Sequence, residues 1–127
     1  MRDIKFRGKR TDTGEWVYGG LDTDWGLQSS KRERYWIIAP YYGQIFVDPA
    51  TVGEYTGLKD KAGVEIYEGD VVRCSGEYYV VQYEMGDCLC ENTNDTDDRR
   101  RLRFLLNTLS FEVVGNITDN PELAKEA

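Results

Sequence analysis

The 127-residue chain sets 16 Lys and Arg against 23 Asp and Glu, a formal net charge of −7 at pH 7, and contains no histidine. A hydrophobic fraction of 40% with 13% aromatics is that of a folded globular protein, large enough to bury a core without disulfides. The acidic balance argues against general adhesion to DNA or anionic membranes, and the missing histidines remove the commonest general base and metal ligand.

The first ten residues are charged throughout and offer no apolar stretch of the kind a signal peptide needs. Apolar runs such as 35–39 fall far short of the roughly 20 residues of a membrane helix. A cytoplasmic protein without a membrane segment is the expectation. In residues 3–10, Ile4 and Phe6 alternate with Lys5, Arg7 and Lys9, the period of a half-buried strand. Thr11-Asp12-Thr13-Gly14 supplies a turn, and residues 15–19 return with Trp16 and Tyr18 on one face, predicted to cover the side that Phe6 occupies. Residues 21–33 read as a polar loop with a short strand near 25–28. Strand chemistry resumes at 34–39, turns at Pro40-Tyr41-Tyr42-Gly43, returns at 44–47 and stops at Asp48-Pro49. Residues 51–58 are β-branched and aromatic, with Gly53 and Gly57 marking a bulge or close approach. A boundary falls between Asp48 and Lys59, dividing the chain into an N-terminal β region, 1–55, and a second domain, 56–127.

Beyond a polar turn at 58–63, short strands are predicted at 64–67 and 71–74, punctuated by Glu68-Gly69-Asp70 and closed by Ser75-Gly76. Residues 77–85 form the strongest strand, with Tyr79, Val81, Tyr83 and Met85 on one face. Gly86-Asp87 turns the chain into 88–91, an acidic loop covers 91–98, and Arg99-Arg100-Arg101-Leu102-Arg103 follows directly. The last strand is placed at 109–117. Asn120-Pro121-Glu122 then offers an N-cap, a proline at N1 and an acid in the first turn, so a short C-terminal helix is predicted. Strands at this spacing make an all-β barrel or small sandwich.

Several of these blocks resemble a known family. Phe6-Arg7-Gly8 with Gly14-Glu15-Trp16-Val17-Tyr18-Gly19 looks like the opening of the YopX family of small phage and prophage proteins. Thr51-Val52-Gly53-Glu54-Tyr55-Thr56-Gly57-Leu58-Lys59-Asp60 and Ile66-Tyr67-Glu68-Gly69-Asp70-Val71-Val72 look like its centre. Phe111-Glu112-Val113-Val114-Gly115-Asn116-Ile117 with Asn120-Pro121-Glu122-Leu123 looks like its ending. The resemblance implies an all-β protein whose C-terminal half is an SH3-like β-barrel, encoded by a phage or prophage and present in the bacterial cytoplasm. It implies no activity. The segments 21–44 and 86–109 match nothing in the pattern, so what is particular to this chain is expected there.

Chemistry is sparse. Cys74, Cys88 and Cys90, without a histidine, read as structural thiols rather than nucleophiles. As zinc ligands they supply three of four, at a spacing that departs from the usual one. Glu68-Gly69-Asp70 suits a turn better than a catalytic carboxylate, no phosphate-binding glycine loop is present, and no cofactor is implied. Two basic clusters stand out against the acidic total: Lys5, Arg7, Lys9 and Arg10 on or near the outward face of the first strand, and Arg99, Arg100, Arg101 and Arg103. Basic side chains beside aromatics can hold single-stranded nucleic acid, whereas a solvated face with arginines paired to Asp95, Asp97 and Asp98 explains the same residues. The expectation is a non-catalytic module that binds a host or phage protein, or a second copy of itself. The alternative is a nucleic-acid-binding accessory protein using Lys5, Arg7, Lys9, Arg99, Arg100, Arg101 and Arg103.

Overall fold

The structure, a computed structural model, describes residues 5–24, 34–39, 43–84, 86–108 and 110–125. The chain forms two compact units, Met1–Tyr55 and Thr56–Ala127.

In the first unit, β1 (Phe6–Lys9), β2 (Trp16–Asp24), β3 (Arg34–Ala39) and β4 (Gly43–Val47) follow in order, and β5 (Gly53–Lys59) begins here. All pairings are antiparallel, in the order β4-β3-β2-β1-β5. The first hairpin closes on Gly14, which sits at φ 77° and donates its N–H to the Arg10 carbonyl at 3.0 Å. Arg10 grips Asp12 through two bonds of 2.9 and 2.8 Å, which stiffens the same turn. The end of β4 comes back to this hairpin. Asp48 N–H donates to the Lys9 carbonyl at 2.9 Å, and Arg10 bridges Val47. A single 3-10 turn, Pro49–Thr51, follows with Asp48 as its cap.

Two expectations are corrected in this unit. Residues 21–24 continue β2 instead of starting a loop, because Leu21, Asp22, Thr23 and Asp24 pair with Ile37, Trp36, Tyr35 and Arg34. Ladder pairing overrides their polar composition. The register sets Trp16 opposite Lys9 and Tyr18 opposite Arg7, whereas Phe6 faces Gly19. The aromatics therefore lie on the face of the basic residues and not on that of Phe6. The short strand predicted near 25–28 lies outside the described residues.

The second unit holds the rest of β5, then β6 (Glu65–Tyr67), β7 (Asp70–Cys74), β8 (Glu77–Glu84), β9 (Asp87–Asn92), β10 (Arg99–Arg101), α1 (Leu102–Leu105), β11 (Glu112–Asn116) and α2 (Pro121–Lys125). Its main sheet is antiparallel in the order β10-β9-β8-β7-β11, and β6 pairs with β5. Tyr79 and Val81 of β8 alternate inward onto a core of Ile66, Val72, Cys74, Cys90, Leu102, Leu105 and Phe111. The helix α1 was not expected. Leu102 and Leu105, three apart, plug the core while Arg103 and Phe104 face solvent, a pattern too short to register as a helical period in the sequence. The last strand is shorter than predicted, since residue 110 lies in a turn and Phe111 is a core residue preceding β11. The protein is all-β with a short C-terminal helix, as expected from the sequence.

Candidate functional site

The residues of the family-like blocks are engaged in holding the fold. Asp60, at the end of the β5 strand, accepts from Ala62 and Val64 N–H with one oxygen, both at 2.9 Å, and from Val113 N–H of β11 with the other at 3.2 Å. One carboxylate thus closes a hairpin and ties it to a strand 53 residues away in sequence. Thr56 donates to the Ile66 carbonyl at 2.8 Å. Asp70 accepts from Tyr67 N–H at 2.7 Å across the Glu68–Gly69 turn, where Gly69 takes φ 93°. That is the turn role assigned to Glu68-Gly69-Asp70. Asn116 accepts from Thr118 and Asp119 N–H at 3.0 and 2.8 Å. Asn120 does not cap α2 with its side chain but turns back to accept from Asn116 N–H at 3.2 Å. Gly115 is required beneath it, because a Cβ there would stand 2.4 Å from Asn120 Oδ1.

Cys74, Cys88 and Cys90 are free thiols, with Cys74 and Cys90 buried and Cys88 half-buried. Burial, with Cys88 and Cys74 nearby, pushes the Cys90 thiol up to about 12. Such a group stays protonated and unreactive at neutral pH. Cys74 Sγ lies 3.0 Å from Thr108 Oγ1, a contact internal to the unit. Among the described residues no set of three or more Cys, Asp or Glu is arranged to hold a metal ion.

The first basic cluster is only partly a surface. Arg7 is 7% exposed, not solvated as expected, with its guanidinium 4.7 Å from the Trp16 ring centre. Lys9 covers the same ring at 5.5 Å, and Lys5 lies 5.0 Å from the Tyr55 ring. These are cation–π contacts: the hairpin register delivers Trp16 to Arg7 and Lys9, and β5 brings Tyr55 to Lys5. Arg10 is paired with Asp12, which raises its affinity for its proton and holds the Asp12 carboxyl below its ordinary value.

The second cluster is neutralised locally, largely by residues other than the acids expected. Arg99 contacts Glu84 and lies 3.8 Å from Glu91, while Arg101 reaches Asp87 at 3.3 Å. Arg100 alone pairs with an expected acid, Asp98, at 2.8 Å. Asp95 instead receives Asp97 N–H within the loop. Arg103 and the adjacent Phe104, 62% exposed, sit on the outer side of α1. Under the 92–98 loop lies a partly buried polar network centred on Asn92. Asn92 Nδ2 donates to Glu77 and, at 3.0 Å, to Asp98, and Tyr79 OH donates to Asp98 at 3.2 Å. Arg100 first, then the Asn92 amide and the Tyr79 hydroxyl, holds the Asp98 carboxyl below its ordinary range.

Beside this network, the outward faces of β8 and β9, the loop after β9 and Ala124 of α2 enclose a groove of about 170 Å³, lined by Val80, Gln82, Glu91, Thr93, Thr96 and Ala124 over Asn92. The sequence did not expose it. Alternation along β8 turns Val80 and Gln82 outward, but only the fold brings Ala124 to them. Charge is also divided unevenly. The first unit contains eight Lys and Arg and eight Asp and Glu, and the second contains eight against fifteen, so the whole −7 belongs to the second.

The family model described as YopX protein matches residues 5–125. A solved structure, that of protein EF1440 from Enterococcus faecalis, aligns with a TM-score of 0.57 at 22% identity, covering 98% of this chain and 99% of that one. At that identity the likeness is one of fold. No curated protein matches the chain in sequence.

Proposed function

The chain belongs to the YopX family, and on that premise we propose that it is a non-catalytic protein-interaction module of a phage or prophage, acting in the bacterial cytoplasm, with an SH3-like barrel as its second unit. The observation that carries this reading is where the polar chemistry goes. Thr56, Asp60, Asp70, Asn116 and Asn120 bind backbone groups of their own fold, and the Cys90 thiol is held protonated. Presented outward instead, in the segment where the family-like blocks are interrupted, are Arg101, Arg103 and Phe104, the last being the most exposed large apolar group among the described residues. An exposed aromatic beside arginines is the composition of a contact surface more than of a reaction centre. No helix of the described residues is long and apolar enough to cross a membrane.

Affinity capture from bacterial lysate, repeated with Phe104→Ala, tests the reading. A specific protein retained by the native chain and lost from a folded Phe104→Ala variant is the expected result. Retention of nothing specific, together with a strict monomer in sedimentation, overturns it. The nucleic-acid alternative is favoured by one observation, the alignment of Lys5, Arg7 and Lys9 with Trp16 and Tyr55 in the unit of zero net charge. It requires binding of a short single-stranded oligonucleotide at about 50 mM salt that weakens as salt is added.

A further inference from the structure

The groove over Asn92 has a lining that selects for charge. Glu91 offers a carboxylate, Gln82 an amide oxygen and Thr96 a hydroxyl. Thr93 Oγ1 is shut off from solvent and has no hydrogen-bond partner. Its residue is nonetheless fixed, since Thr93 N–H donates to the Tyr78 carbonyl at 2.9 Å. The floor is equally fixed: Asn92 is 2% exposed, with its amide donating to Glu77 and Asp98 and its oxygen accepting Asn94 N–H at 2.8 Å. Arg99 turns its closer contact to Glu84 and remains 3.8 Å from Glu91, which leaves that carboxylate only loosely compensated.

We propose that this groove is a subsite for a basic side chain, lysine or arginine, presented by a protein partner; the proposal rests on the interaction-module reading above. A cationic donor meets the Glu91 carboxylate and the Gln82 and Thr96 oxygens, and lays its methylene stem against Val80 and Ala124. The unit around it carries the full −7, which draws cationic surfaces toward it. An anion would face Glu91 and that field. An apolar group would strip water from Glu91 without replacing its hydrogen bonds. The volume is also below the roughly 300 Å³ at which pockets for free metabolites begin, but suits one side chain.

The test is an NMR titration of the full-length chain with three capped tripeptides, Gly-Arg-Gly, Gly-Lys-Gly and Gly-norleucine-Gly. Saturable shifts at the amides of Gln82, Thr93 and Thr96 are expected with the two basic peptides and absent with norleucine. Glu91→Gln should weaken that binding about tenfold, the loss of one charge-assisted bond. Thr93→Val, which removes a hydroxyl closed off from the groove, should leave the binding unchanged. Equal shifts with norleucine, or shifts spread over the acidic surface and indifferent to Glu91→Gln, overturn the proposal. Lysate capture with the Glu91→Gln variant separates the two readings. Loss of the captured protein supports the subsite. Capture at native yield overturns it while leaving the interaction module standing, and a native chain that captures nothing overturns both.

Discussion

Asp60 shows how much one side chain carries in this fold. Its three accepted N–H bonds leave three backbone donors without partners when the carboxylate is removed, two of them in the hairpin turn and one at β11. Asp60→Ala is expected to cost about 1–3 kcal/mol, because the half-buried Val113 N–H loses its acceptor, whereas Ala62 and Val64 sit in an exposed turn that water reaches. Asp60→Asn, which keeps one oxygen, should cost clearly less. Urea unfolding followed by circular dichroism measures both. Asp98 makes a different prediction. Its carboxyl is held below the ordinary value of 3.8, chiefly by Arg100. The unfolded chain therefore takes up the proton first as pH falls. The stabilisation is complete above the unfolded value and is lost as pH drops through the lower folded value. Thermal melts below about pH 5 should fall less steeply with acid in Asp98→Asn than in the native chain.

At the scale of elements, the strands most open to reading were those with an unbroken period of two between glycine turns, β1, β2 and β8. The faces they present were not. Phe6 and Trp16 lie on opposite sides because the loop from Arg10 to Glu15 sets the register, and loop geometry is not written in the alternation. The extension of β2 through Asp22 and Asp24 depends on a partner strand, and α1 on a core that accepts Leu102 and Leu105. The basic clusters were visible as runs of charge. Their partners were not, since Glu84, Asp87 and Glu91 reach Arg99 and Arg101 only after β8, β9 and β10 pair. At the other end of the same sheet, the β11 register shifts between Val113 and Gly115, and the chain then folds back beneath Asn120. Gly115→Ala would drive a methyl group into the Asn120 side chain, which itself holds Asn116. A loss of about 1–3 kcal/mol is expected in thermal unfolding, as for overpacking of a tight site.

For the whole molecule, the decisive fact is that the hydrophobic cluster from Ile66 to Phe111, with Leu58 and Val113 against it, draws only on the second unit. The fragment 56–127 should consequently fold alone, giving a cooperative urea transition and a near-ultraviolet signal from its buried tyrosines. Non-cooperative unfolding would show that the core is insufficient by itself. With all of the net charge, this fragment should also bind an anion-exchange resin far more tightly than the 1–55 fragment.

The β5 strand has one further consequence. Gly53, Glu54 and Tyr55 bond to β1, whereas Thr56 and Asp60 bond to β6 and the turn before it. A genetic crossover between the codons of Tyr55 and Thr56 would swap one half of the protein for a relative's while leaving the rungs on both sides whole. Chimeras joined at that seam should keep each parent's pairing, so the two halves can be exchanged without redesigning either ladder.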